Sequence, residues 1–124
     1  MKTSELTGAA LDWAVAKCEG YFDKNQSHKY DGTWIDGAAF LRMHKAEGHG
    51  VHWTHSSTDW AEGGPIIERE KIGVVPCGDH WNAGINDQEL EHQPWEGSTP
   101  LIAAMRCYVA SKLGAEVELP KEML

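Results

Sequence analysis

The chain has 124 residues, 41% of them hydrophobic and 24% charged, and a formal net charge of −8. That length suits a single domain, residues 1–124, with a core of its own. Three arginines (Arg42, Arg69 and Arg106) and no basic run exclude the phosphate-neutralising grip on a nucleic-acid polymer, and no apolar run approaches the roughly 18 residues of a membrane span.

Leu6-Thr7 followed by Leu11 reads as a helix entry, with Thr7 as N-cap and Leu6 stapled to Leu11. The predicted helix runs from Gly8 to Cys18, and Gly20 supplies a left-handed stop. Leu11, Ala14, Val15 and Cys18 share one face, while Trp13 points elsewhere, one turn from Lys17. Residues 21–50 read as variable loop. Within them Asp31-Gly32 is suited to a hairpin turn, and 38–45 to one or two helical turns.

Residues 51–56 have strand composition, and Ser56 to Asp59 reads as a turn or short helix start ended by Gly63-Gly64. Alternation then predicts a strand from Ile66 to Val75, with Ile66, Glu68 and Glu70 on one face and Ile67, Arg69 and Lys71 on the other. From Pro76 to Gly97 the composition is that of a loop. A second helix follows, capped by Ser98-Thr99 with Pro100 at its first position and Gly114 at its end. Its faces are apolar on one side and small on the other, so it is expected to be buried on both. Residues 116–120 read as a short edge strand.

His49, His52 and His55 recur every three residues, but that spacing converges in neither a strand nor a helix, and Cys77 with His80 is too lone a pair to complete a metal site. No cofactor motif is present: Gly63-Gly64 lacks the surroundings of a phosphate-binding loop. The acid pairs Asp59/Glu62 and Glu68/Glu70 are candidates for acid–base work, but neighbouring surface acids are ordinarily just solvated. Cys18, Cys77 and Cys107 form an odd set without framework spacing, and Glu5 and Asp12 interrupt any leader-like apolar run, so reduced thiols and an intracellular location are expected.

The block from Ser57 to Glu70 is the strongest candidate for a site. Trp60 offers a flat apolar face, the Gly63-Gly64-Pro65 run offers close access to main-chain N–H groups, and Arg69 a forked cation. Asp59 reads as the cap of the 60–62 turn. Arg106, at the edge of the apolar arc of the second helix, needs a partner: Glu68, Asp59 or an external anion. The expected pocket is formed or bordered by Ser57, Thr58, Asp59, Trp60, Gly63, Gly64, Arg69 and Arg106. Trp60 would stack on a ring, the amides and arginines would hold anionic oxygens, and Ser57 or Thr58 would add hydroxyls.

Three blocks carry a family resemblance: residues 3–16 (Thr-Ser-Glu-Leu-Thr-Gly-Ala-Ala-Leu-Asp-Trp-Ala-Val-Ala), 57–68 (Ser-Thr-Asp-Trp-Ala and Gly-Gly-Pro-Ile-Ile-Glu) and 99–114 (Thr-Pro-Leu-Ile-Ala-Ala-Met-Arg-Cys-Tyr-Val-Ala-Ser-Lys-Leu-Gly). Together they resemble the NinX-like proteins of tailed bacteriophages and prophages, a domain family of unknown function. The histidine run falls outside these blocks. The resemblance implies a phage accessory protein made in the host cytoplasm, and it implies no catalytic residues. Phage proteins of this kind often counter host defence, some by sequestering a nucleotide-derived messenger.

The expected fold is α+β: two main helices packed on a small, mostly antiparallel sheet with long loops. The expected function is non-enzymatic binding of a small, nucleotide-like ligand, without cofactor or metal. A modulator that binds a host protein through its acidic surface is the alternative, and a small metal- or carboxylate-dependent hydrolase a third. Small Ala and Ser faces on the helices also suit a homo-oligomer.

Overall fold

The computed structural model describes residues 1–19 and 55–120. The Gly20 stop, the 31–35 hairpin, the turns at 38–45, residues 51–54 of the expected strand, and His49 and His52 lie outside them; His55 and Ser56, at the end of that expected strand, lead into a turn instead.

A 3-10 turn, Thr3–Glu5, leads into helix α1, Gly8–Cys18. Thr7 enters it in extended conformation but makes no side-chain cap bond. The staple does the anchoring, since Leu6 and Leu11 are both fully buried. Trp13 is also buried, with Lys17 Nζ 5.3 Å from its ring centroid.

Helix α2, Trp60–Glu70, replaces the predicted turn and the first half of the predicted strand. Asp59 caps it, its carboxylate accepting from the Ala61 N–H at 2.9 Å. The two glycines do not end the helix, because Gly63 is where its backbone meets a neighbour. A Cβ there would lie 2.5 Å from both Leu101 Cδ2 and the Ser56 carbonyl oxygen. Gly63 and Ile66, one helical turn apart, are the buried residues of α2, so the period is helical where alternation had suggested a strand. Pro65 lies inside the helix on an exposed position. Lys71, at φ 56°, reverses the chain: its N–H donates to the Glu68 carbonyl and that of Ile72 to Ile67, which closes the helix and buries Ile72.

The stretch expected to be loop carries most of the sheet. Strand β1, Gly73–Cys77, turns through Gly78 and Asp79 into β2, His80–Gly84. Gly78 has φ +63°, the first central position of a tight hairpin turn. A short helix α3, Asp87–His92, capped by Asn86, precedes β3, Trp95–Gly97. The three strands are antiparallel in the order β1-β2-β3, with Cys77 opposite His80 and Ala83 opposite Trp95.

Helix α4, Pro100–Leu113, starts at Thr99, whose Oγ accepts from the Ile102 N–H at 3.1 Å. It packs against α1, α2 and all three strands. Ala103, Ala104, Met105, Cys107, Tyr108 and Val109 are buried, which explains why Arg106 and Lys112 are the only charges the helix carries. Its small residues, and Ala14 and Ala16 of α1, are used inside the core. The expected strand at 116–120 is reduced to a bridge between Lys2 and Glu116.

The architecture is α+β, four helices around a three-stranded antiparallel sheet among the described residues. None of those helices is long and apolar enough to cross a membrane.

Candidate functional site

The eight residues expected to share one pocket divide among three places. Ser57, Thr58 and Trp60 line a small cavity of about 200 Å³ with Thr99, Leu101 and Ile102, between the starts of α2 and α4. Trp60 is 55% exposed there. Ser57 is buried, its N–H donating to Asp12 Oδ1 at 2.9 Å while its Oγ has no partner. Asp59 acts as helix cap. The Gly63 N–H is not free for a ligand, since it donates to the Asp59 carbonyl at 2.9 Å. Gly64 sits beside the Trp60 ring, 3.8 Å from where a Cβ would stand.

Arg69 belongs to an ion-pair cluster. Its Nη1 and Nη2 donate to the two carboxylate oxygens of Glu19 at 3.1 and 2.6 Å, and its Nε donates to Glu70 at 2.8 Å. Nη2 also reaches the Tyr108 hydroxyl, which itself donates to Glu19. Lys112 approaches Glu70 at 3.6 Å. The bonds from Glu19 and then Glu70 hold the guanidinium above its ordinary pKa. Burial and then the Glu19 carboxylate push the Tyr108 phenol up as well. Both acids are occupied internally, so this fork is already satisfied.

Arg106 stands elsewhere and in the opposite state. It projects from the middle of α4 into a groove of about 470 Å³ lined by Ser4, Gln93, Pro94, Trp95, Glu96 and Arg106 itself. The ion pair expected with Glu68 or Asp59 does not form. Instead Nε donates to the Leu6 carbonyl at 2.9 Å and Nη1 to the Glu96 carbonyl at 2.8 Å. Burial alone pulls its pKa below the ordinary guanidinium value, and a guanidinium stays protonated in proteins. Backbone dipoles support the cation without neutralising it.

Trp95 lies in the stretch whose composition is that of a loop. It enters the groove because β3 lies against α4: a Cβ on Gly97 would stand 2.4 Å from the Ala103 N. Only the glycine lets the strand come that close, and this brings Trp95 and Glu96 beside Arg106. The one sequence signal for this was the Pro94-Trp95-Glu96-Gly97 run directly before the cap of α4.

Cys77 and His80 stand opposite each other across the β1–β2 hairpin. Cys77 is exposed, and His80 Nδ1 lies 3.2 Å from Asp79 with Nε2 3.7 Å from Glu96. The half-buried Cys18 thiol and the buried Cys107 thiol have their pKa values raised by desolvation, Cys18 to about 12, so neither is primed as a nucleophile.

The fold and groove define a small α+β protein in which one concavity joins an indole to a cation that has no carboxylate partner among the described residues. The chain matches the family described as Bacteriophage P22, NinX over residues 2–112, and it belongs to that family. No curated protein matches it.

Proposed function

We propose that this phage accessory protein binds a small anionic ligand bearing an aromatic ring, nucleotide-like in character, and holds it without turnover. In the host cytoplasm such binding would sequester a nucleotide-derived signal. The observation that supports the reading is the Arg106 groove. A charged guanidinium with no carboxylate partner among the described residues sits beside a tryptophan, in a concavity whose volume falls within the range of ligand pockets. An anion entering there gains a charge-assisted bond that no internal acid already makes. The Trp60 cavity has an exposed ring and hydroxyls, but less than half the volume and no cation among the described residues that line it.

The test is a thermal-shift screen of the full chain against linear and cyclic nucleotides, with Trp95→Ala and Trp60→Ala in parallel. A ligand at a hundredfold excess over its Kd adds about 2.7 kcal/mol of stability. The expected result is a shift abolished by Trp95→Ala, retained by Trp60→Ala, with the nucleotide recovered unchanged. A shift lost only with Trp60→Ala would move the site to the smaller cavity. Silence across the whole panel would favour a host protein as partner, engaged through the acidic surface.

A further inference from the structure

The charge balance of the Arg106 groove restricts what it can hold. Among the described residues, Arg106 is its only cationic lining residue. A guanidinium has five N–H donors, and here Nε and one N–H of Nη1 are spent on the Leu6 and Glu96 carbonyls. What remains is a fork of three N–H groups on one positive charge. Glu96 also lines the groove, and its carboxylate, on the other face of β3 from the Trp95 side chain and 3.7 Å from His80 Nε2, adds a negative charge nearby. The chain as a whole carries −8, so a second negative charge on a ligand meets repulsion at close and long range. Among the described residues lining the groove there is no glycine-rich loop and no second guanidinium or ammonium for another phosphate.

The geometry points to a ring-bearing monoanion as the ligand of this groove: a phosphodiester or a carboxylate attached to an aromatic ring, in preference to a phosphomonoester or a polyphosphate. This rests on the binding role proposed above for Arg106 and Trp95. One negative charge neutralises Arg106 and its two oxygens fit the remaining fork. A phosphomonoester carries close to two charges at neutral pH, and its surplus lies in an acidic surround without a counter-charge. The ring lies on Trp95, and the Gln93 amide at the rim is available to its polar edge.

Calorimetry on the unmodified full chain tests this with compounds that share one ring and differ in charge: adenosine, cyclic AMP, AMP and ATP. Orotate serves as the carboxylate arm. Cyclic AMP is expected to bind at least about tenfold more tightly than ATP, with AMP between them and adenosine weak, a difference of about 1.4 kcal/mol. Orotate tighter than cyclic AMP would support the class and assign the carboxylate source; the reverse assigns the diester. In Glu96→Gln, which changes only an exposed rim carboxylate, the gap between cyclic AMP and ATP is expected to shrink. ATP binding most tightly would overturn the monoanion assignment while leaving ligand binding at the groove intact, and so would adenosine binding as well as cyclic AMP. Binding of none of them would remove the proposed function and this inference with it. The ligand series needs no substitution at Arg106, whose loss would also strip two carbonyls of their donor.

Discussion

Arg69 and Arg106 both touch helix α4, one reaching Tyr108 from α2 and the other rooted in α4 itself, yet they end in opposite electrostatic states. Arg69 is neutralised twice over by Glu19 and Glu70. Arg106 is held by two carbonyls and keeps its full charge beside an open groove. In a protein with a large acidic excess, finding a cation is weak grounds for an anion site, because acids compete for it. A cation fixed by main-chain oxygens, with its charge uncancelled, is the one from which an external anion has most to gain.

That contrast can be broken most severely at Gly97. The Gly97→Ala Cβ would stand 2.4 Å from the Ala103 N and 2.9 Å from its Cα, so β3 must leave α4 or both must shift. We expect a loss of about 3 kcal/mol, at the upper end of overpacking costs, in urea denaturation, together with loss of binding in the Arg106 groove. A cost below about 1 kcal/mol would mean that β3 is not pinned to α4 as described.

The next largest effect separates the two arginines directly. Arg106→Ala leaves the Leu6 and Glu96 carbonyls without their donor and is expected to cost roughly 1–3 kcal/mol. Arg69→Ala removes a half-exposed ion pair and is expected to cost no more than about 1 kcal/mol, since Tyr108 still donates to Glu19. Equal costs would erase the distinction drawn between a buried support and a surface network.

The smallest effect is one of pH. The Arg69 hydrogen bond holds the Glu70 carboxyl below its ordinary value of 4.5. A depressed folded-state value means stabilisation that is present above about the unfolded pKa and lost as pH falls through the folded one. Arg69→Ala is therefore expected to flatten the acid limb of the stability curve below about pH 4.5, where Arg106→Ala leaves that limb's shape unchanged. Denaturation midpoints across the acid range would show a parallel limb in the Arg69 variant if this pairing contributes nothing.

Helices α1 and α4 were legible from the sequence to the residue, because their ends are marked locally: Leu6 with Leu11 at one, Thr99-Pro100 and Gly114 at the other. The Asp59 cap was legible for the same reason. The strand expected over Ile66–Glu70 failed because Ile66 is buried by a partner, α4, that local alternation does not contain. Strands β2 and β3 were hidden in Gly-, Trp- and Asn-rich composition, since short strands are held by their cross-strand neighbours more than by their own propensity.

For the candidate site, the sequence marks Arg106 as a cation in need of a partner, Glu68, Asp59 or an external anion, and in the fold two main-chain carbonyls hold it instead of either acid. Trp60 and Arg69, adjacent in sequence to everything that suggested a pocket, face separate surroundings. The sequence by itself determined the α+β class, the two principal helices and the acidic balance that makes any lone cation conspicuous. Which cation stays uncancelled, and which tryptophan stands beside it, was decided only in three dimensions. Charge pairing and the approach of β3 to α4 depend on residues far apart in the chain, and no local pattern records their distance.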